Sequence, residues 1–258
     1  MQRREQKENG FTLIEVMVSM VIASFVFAGI YGVYTIQQRS YTVQEQVSEM
    51  QQKGRAALDF LVRDIRMARY NDPDGACTSG DMAVWSAGPA SFTFDTCDQS
   101  NTQQTVTYSL IVDNTKEPPA YRLVRTVGTG TAQTIAEDIE AVEFFYTIEN
   151  NTEPVTFTSM LTVPAANMAQ IRSVQISLLI RSTYPDRKHR DGVPYYPASE
   201  LPDPPPAVFP PPVWDINGTT VNGTGNPPTT DPCDDELDRC HYHRRLLITT
   251  VKMRNMGL

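Results

Sequence analysis

The feature that most constrains this chain is a stretch of 23 residues, Val16 to Gln38, that contains no charged side chain. At about 1.5 Å of rise per residue, a helix of this length crosses a bilayer core that is roughly 30 Å thick. Three basic residues precede the stretch: Arg3, Arg4 and Lys7. Because basic residues favour the cytoplasmic side of a membrane, we expect a single span with its N-terminus in the cytoplasm and the rest of the chain outside.

The stretch differs from an ordinary secretory signal. The apolar part of such a signal covers about 7–15 residues and ends at a site of small residues, whereas this one is longer and ends in Tyr34-Thr35-Ile36-Gln37-Gln38-Arg39. One acidic residue, Glu15, lies at its start. A carboxylate is costly to place in lipid, so Glu15 is a candidate functional residue that needs a partner.

The residues around Glu15 resemble a known motif. Gly10-Phe11-Thr12-Leu13-Ile14-Glu15-Val16 is similar to the class III signal of type IV pilins and of type II secretion pseudopilins. The resemblance implies cleavage after Gly10 by a prepilin peptidase and methylation of the new amino terminus on Phe11. It also implies that Glu15 pairs with the amine of a neighbouring subunit during assembly. The alternative is a plain signal anchor in which Glu15 lies at the level of the lipid headgroups.

Hydrophobic periodicity continues beyond the apolar stretch. Apolar residues recur at three- and four-residue steps and no proline occurs within residues 11–72, which predicts one helix of about 60 residues. We divide it into a transmembrane or filament-core part, 11–38, and an amphipathic part, 39–70. Gly29, Gly32 and Gly54 are expected to be weak points that each cost about 1 kcal/mol relative to alanine. The turn sequence Asn71-Asp72-Pro73-Asp74-Gly75 should end the helix.

Short β-rich segments follow the helix. In residues 173–182, Val174, Ile176, Leu178 and Ile180 alternate with polar residues, which predicts a half-buried strand whose apolar face covers the helix. The fold class predicted is therefore α+β, a long helix packed on an antiparallel sheet. The seven predicted strands lie near Ala83–Ser86, Ser91–Asp95, Thr105–Val112, Tyr121–Val127, Ala141–Ile148, Ser173–Ser182 and Leu246–Arg254.

Three internal segments extend the resemblance to PilW-type minor pilins. They are the helix end 57–68, the strand 171–181 and the closing strand 248–255. The resemblance implies a non-enzymatic subunit without a cofactor that assembles with other minor and major pilins on an inner-membrane platform. The chain would begin in the bacterial inner membrane, with residues 71–258 in the periplasm, and then enter a pilus at the cell surface. J-type pseudopilins of type II secretion share this outline and remain an alternative.

A proline-rich excursion interrupts the C-terminal part. Residues 185–232 contain 13 of the 19 prolines, so polyproline segments and tight turns are expected there rather than regular structure. Tyr195, Tyr196, Phe209 and Trp214 could make the excursion a partner-binding arm. The alternative is an insertion that packs against its own domain.

The four cysteines fall into two close pairs, which suits an oxidising compartment. Proximity favours the disulfides Cys77–Cys97 and Cys233–Cys240, although four cysteines allow three pairings. A zinc site formed by Cys233, Cys240, His241 and His243 is an alternative whose spacing matches no standard finger. Calcium binding is a further alternative for the acidic residues between Cys233 and Cys240 and for Asp72-Pro73-Asp74-Gly75.

Several classes of function are disfavoured. A formal charge of −8 and a pI of about 4.9 argue against nucleic-acid binding by phosphate neutralisation. No glycine-rich phosphate loop, Gly-x-Ser-x-Gly turn or His-Glu-x-x-His helix is present. The resemblance implies a minor PilW-like pilin that initiates or caps the filament. A signal-anchored periplasmic binding protein that never polymerises is the alternative from another class.

Overall fold

The computed structural model describes residues 11–69, 83–97, 102–116, 120–150, 153–191, 195–200 and 239–253. Five residues with predicted roles, Gly10, Cys77, Phe209, Trp214 and Cys233, lie outside these ranges, as do the acidic segments considered for calcium. By its internal contacts the chain divides into two compact units, residues 1–45 and 46–258.

The predicted long helix is confirmed. Helix α1 runs from Leu13 to Arg66, 54 residues, and contains no proline. Residues 67–69 form a turn directly after it, so the helix ends several residues before the turn sequence at 71–75, which lies outside the described residues. A long proline-free run of this kind propagates because each further residue adds one backbone hydrogen bond.

Within residues 46–69 one stripe of the helix is buried against the sheet. The buried helical residues are Met50, Gly54, Ala57, Leu58, Leu61 and Ile65, and Ala68 follows them. Gly54 has a packing role in addition to the helix-propensity cost expected from the sequence. A Cβ placed there would lie 2.5 Å from Leu247 Cδ1 and 3.5 Å from Ile180 Cγ2, so glycine allows the helix to approach two strands closely.

Among the described residues the sheet has eight strands, and each of the seven predicted strands is present. The bounds are β1 Val84–Ala87, β2 Phe92–Cys97, β3 Gln103–Asp113, β4 Ala120–Val127, β5 Gln133–Asn150, β6 Thr156–Met160, β7 Ile171–Arg181 and β8 Arg244–Lys252. The strand order is β1-β2-β3-β4-β5-β7-β8, with β6 paired to β5. All pairs are antiparallel, which confirms the α+β class.

The core lies between the helical stripe and one face of the sheet. Phe92 contacts both Phe94 and Tyr146, with ring centroids 4.9 and 5.3 Å apart, and Val174, Ile176, Leu178 and Ile180 belong to the same cluster. Burial of one aromatic or aliphatic side chain stabilises a fold by about 1.5–3 kcal/mol, so this layer holds the helix on the sheet.

Two strands differ from the expectation. Strand β6 was not predicted, and β5 begins at Gln133 rather than near Ala141. The added half of β5 is rich in acidic residues, but Asp138 and Glu140 are buried because basic side chains from distant segments pair with them. Asp138 has φ of 60° and lies beside a shift in register between β5 and β7.

The prediction that β7 is half-buried is wrong for its C-terminal part. Ser177, Leu179 and Arg181 point away from the helix, yet each is buried. Residues 195–200, from the proline-rich excursion, cover this second face: Ala198 N donates to Ser177 Oγ over 2.9 Å, and Ala198–Glu200 forms a single 3-10 turn. This part of the excursion therefore packs against its own domain.

Candidate functional site

Helix α1 begins directly after the predicted cleavage point. The Thr12 carbonyl accepts hydrogen bonds from the amides of Glu15 and Val16, over 3.1 and 3.3 Å. Phe11 precedes the first turn and is 83% exposed, while Glu15 is the acidic residue of the first turn. A carboxylate at this position is favourable because a helix N-terminus carries partial positive charge.

The first part of α1 exposes an apolar surface on all sides. Within its own unit, the window of α1 that satisfies the length and hydropathy of a membrane span is 0% buried. Exposed large side chains follow one another along it, among them Leu13, Ile14, Met17, Met20, Val21, Ile22, Phe25, Phe27 and Ile30. A soluble helix would not expose such a surface to water, so this segment requires lipid or other apolar helices around it.

The serine and threonine hydroxyl groups in this apolar segment form hydrogen bonds within the helix. Ser19 Oγ donates to Val16 O and Ser24 Oγ donates to Met20 O, each over 2.8 Å, and Thr35 Oγ1 donates to Gly32 O over 2.9 Å. Such back-bonding lowers the cost of placing a hydroxyl in an apolar environment. The polar residues of the stretch are therefore compatible with a membrane.

Beyond residue 45, Asp64 fixes the helix to the sheet. Tyr108 Oη on β3 donates to Asp64 Oδ2 over 2.7 Å, and Arg125 Nε on β4 donates to the same oxygen over 2.6 Å. Burial, together with the Asp64 charge, raises the pKa of the Tyr108 hydroxyl. The phenol therefore stays protonated and remains a donor to the carboxylate.

A second ionic attachment joins the helix to the bulge in β5. Lys116 Nζ donates to Asp138 Oδ1 over 2.5 Å, and Thr183 Oγ1 donates to Asp138 Oδ2 over 2.9 Å. On the helix, Lys53 Nζ lies 3.8 Å from the same carboxylate and 2.7 Å from Glu49. The side chain of Asp138 is buried, so its charge requires these partners.

The C-terminal end of the helix is completed by β2. Arg69 has φ of 58°, a left-handed conformation that often ends helices, and its amide donates to Asp95 O over 2.8 Å. The buried Asp95 carboxylate accepts from Trp85 Nε1, Thr105 Oγ1, Gln103 Nε2 and the amide of Ala83. A carboxylate with several donors is stable without a cationic partner.

A buried ionic network lies behind the sheet at the start of β8. Arg244 donates twice to Glu140, over 2.5 and 2.9 Å, and once to Asp191 Oδ2 over 3.3 Å. Tyr195 Oη donates to that Asp191 oxygen over 2.9 Å. Tyr195 also packs with Ala141 and Leu179. The ring and the hydroxyl of Tyr195 are thus engaged inside the domain, which favours the alternative that this part of the excursion packs against its own domain.

The cysteines and histidines do not form the zinc site considered from the sequence. Cys97 and Cys240 are both disulfide-bonded, so Cys240 has no free thiolate for a metal. Their pairing with Cys77 and Cys233, which lie outside the described residues, stays a prediction. His241 Nδ1 lies 2.6 Å from His189 O. In the part of the chain that the structure describes, no three His, Cys, Asp or Glu side chains are grouped as metal ligands.

The arrangement described so far is that of a type IV pilin: an exposed apolar N-terminal helix that continues into the core of an antiparallel sheet domain. Comparison with known families agrees. The model for the prokaryotic N-terminal methylation motif matches residues 6–31. The model for type IV pilus-assembly protein W, PilW, matches residues 107–255, more than half of the chain. The chain belongs to the PilW family.

The similarity of this chain to individual proteins is weak. A type IV-like pilin from Thermus thermophilus aligns with 11% identity and a TM-score of 0.41, over 81% of this chain and 100% of that one. None of the curated proteins compared matches the chain.

Local sequence patterns predicted only part of this site. Gly10, Phe11 and Glu15 lie within six consecutive residues and are predicted from one motif, and the structure describes Phe11 and Glu15. Local patterns did not indicate Asp64, Asp138, Glu140 and Arg244, whose partners are 22 to 104 positions away in the chain. The sequence contains only an indirect indication of these buried charges, since charged residues occur inside apolar segments, as Asp64 does near Leu61 and Ile65.

Proposed function

We propose that this chain is a minor subunit of a type IV pilus, made as a prepilin and co-assembled with other pilins to initiate or cap the filament. The observation that carries the proposal is the exposed apolar first part of α1, with Glu15 in its first turn, on a chain of the PilW family. Such a surface needs lipid before assembly and neighbouring helices after it.

Processing after Gly10 is supported by the start of the helix. The described chain is non-helical at Phe11 and Thr12, and the Thr12 carbonyl takes the first helical hydrogen bonds. An extended segment before a helix is accessible to a peptidase, and glycine at Gly10 leaves room at the scissile bond. The cleaved chain would begin at Phe11, whose amine would then be methylated.

Glu15 would place the subunit in register during assembly. A carboxylate surrounded by apolar helices must find a cation or a hydrogen-bond donor. Cleavage supplies a cation of matching kind, the N-terminal amine of a neighbouring subunit. Glu15 lies one turn from Phe11, so a pair between the two groups of adjacent subunits would fix how far one helix slides along the next.

The proposed partners are a prepilin peptidase, the other minor and major pilins, and an assembly platform in the inner membrane. The proposed location is the bacterial inner membrane, crossed once with the N-terminus in the cytoplasm and residues 71–258 in the periplasm, and then the pilus. The role is structural and non-enzymatic.

The proposal is tested by the amount of major pilin sheared from cells that lack this gene. The wild-type gene should restore surface pilin, whereas a Gly10→Val variant should remain unprocessed and restore none. The Glu15→Ala variant should be processed but should restore less than a tenth of the wild-type amount of surface pilin. The matched control is Glu49→Ala, which removes an exposed carboxylate from the same helix and should behave as wild type. The intact mass should correspond to residues 11–258 plus one methyl group.

Three outcomes would contradict the proposal. Full assembly with Glu15→Ala would remove the register role. Unchanged pili together with loss of exported enzymes would indicate a type II secretion pseudopilin of the J type. A mass that retains residues 1–10, with no filament containing the chain, would indicate a signal-anchored periplasmic protein.

A further inference from the structure

All three histidines of the chain lie at one place, where the long proline-rich excursion leaves and rejoins the domain. Residues 182–191 lie against residues 239–243, and we call these two segments the insertion base. Backbone hydrogen bonds join them: Ser182 N to His243 O over 2.8 Å, Asp186 N to His241 O over 2.7 Å, and Asp191 N to Cys240 O over 2.8 Å. The insertion base therefore ties the two ends of residues 192–238 together.

Two of the histidine rings stack across the insertion base. The ring centroids of His189 and His243 are 3.8 Å apart with an angle of 26° between the planes. His243 Nε2 is buried and has no hydrogen-bond acceptor among the described residues, and Asp186 Oδ2 lies 3.7 Å from it. The stack thus has one carboxylate within ionic range of one ring.

The charges that face the stack come from both segments and from β8. Asp186 and Asp191 favour a charged His189 ring, whereas His243 and Arg244 oppose it. Partial burial is the largest effect and, with the charge of His243, lowers the pKa of His189 below its ordinary value of 6.5. Arg244 is already committed to Glu140 and Asp191, so it does not move away to relieve a second charge.

We propose that the His189–His243 stack is a pH-sensitive clip that holds the insertion base closed at neutral pH and loosens it in acid. In acid, protons on both rings would place two positive charges at stacking distance, where repulsion is strong and little water separates them. The rings then part, and the backbone hydrogen bonds between the two segments open more often.

The direction follows from the lowered pKa of His189. In the open state its ring has an ordinary pKa near 6.5, so the open state binds more protons than the closed one. The closed base is therefore fully favoured above about pH 6.5 and loses stability as the pH falls below that value. His241 does not oppose this, because its Nδ1 can donate to His189 O in either charge state.

The test is amide hydrogen exchange of the full chain in detergent micelles at pH 7.5 and pH 5.0, corrected for the intrinsic effect of pH on exchange. The readout is the protection of the amides of Asp186 and Asp191, with strand β4 as the internal reference. We expect their protection factors to fall at least tenfold at pH 5.0 while those of β4 change less than twofold.

The matched variant is His189→Phe, which keeps an aromatic ring in the stack but cannot take a proton. Its protection at pH 5.0 should stay within twofold of that at pH 7.5. His241→Gln, outside the stack, should show the same fall as wild type. Equal protection at both pH values in the wild type, or a tenfold fall in His189→Phe, would overturn the proposal.

A second measurement applies if His189→Phe does not fold. The ring signals of His189 and His243 in the wild-type chain are followed by NMR from pH 8 to pH 4.5. We expect the titrations of the two rings to be coupled, so that a proton on one ring opposes the binding of a proton to the other. Independent titration of both rings at ordinary pKa values would overturn the clip.

Discussion

Gly54 of the helix lies against Leu247 of strand β8 so closely that a Cβ at Gly54 would stand 2.5 Å from Leu247 Cδ1. We therefore expect Gly54→Val to lower the free energy of unfolding by about 2 kcal/mol, because overpacking outweighs the gain in helix propensity. Denaturant titration of the full chain in detergent measures the change. Gly29→Val, where nothing lies within 4 Å, should leave the unfolding of the domain unchanged, and adding Leu247→Ala to Gly54→Val should recover part of the loss.

Asp64 should contribute more to stability than either of its partners. Tyr108→Phe removes one donor and is expected to cost about 1 kcal/mol, whereas Asp64→Ala leaves a phenol and a guanidinium without their acceptor and should cost about 3 kcal/mol. The same denaturant titration measures both. Asp59→Ala, an exposed carboxylate on the same helix, is the control and should change stability by less than about 0.5 kcal/mol. A loss as large in Asp59→Ala would show that charge on the helix, not this contact, matters.

Two glutamates in β5 allow the contribution of a buried charge to stability to be compared with that of an exposed charge. Glu140→Ala leaves Arg244 buried with one fewer carboxylate, and we expect a loss of about 3–5 kcal/mol. Glu137 lies 3.9 Å from Lys116, and 53% of its side chain is exposed. The same substitution at Glu137 should lower the free energy of unfolding by less than about 1 kcal/mol. Thermal unfolding of both variants measures the difference. Similar melting temperatures would contradict the importance of the Arg244 network.

The disulfide pairing predicted from proximity can be read directly. Non-reducing digestion followed by mass spectrometry should yield linked peptides for Cys77–Cys97 and for Cys233–Cys240. Reduction should then lower the free energy of unfolding by about 2–4 kcal/mol per bridge. A linked peptide that joins a cysteine of the first pair, Cys77 or Cys97, to one of the second pair, Cys233 or Cys240, would show the predicted pairing to be wrong. Cys97 and Cys240 would still both be disulfide-bonded in that case.

The local pattern predicted the helix and seven strands because apolar residues at steps of three and four, or of two, reflect which face is buried. It failed where burial depends on distant residues. Strand β7 reads as half-buried, yet Ser177 is covered by Ala198 from a proline-rich segment in which no strand or helix was expected. The acidic start of β5 reads as a loop, because Arg244 and Lys116, which neutralise it, are far away in sequence.

The N-terminal motif, which a family model matches over residues 6–31, could be recognised from the sequence for the opposite reason. Gly10, Phe11 and Glu15 are neighbours in sequence, and the chemistry expected of them needs no contact from elsewhere in the chain. Gly54 shows the limit of this kind of reasoning, since helix propensity alone makes it a defect. The role of Gly54 in packing is apparent only from the structure, in which β8 lies beside it.

The hydroxyls of Ser19, Ser24 and Thr35 each bond to a carbonyl of their own helix. These three hydroxyl groups therefore need no hydrogen bond from the medium around the helix. The helix can exchange hydrocarbon, detergent or a bundle of like helices as its surroundings without breaking one of these bonds. Under the proposed function, the carboxylate of Glu15 is then the charged group that would determine where the helix stops as it moves from lipid into a filament.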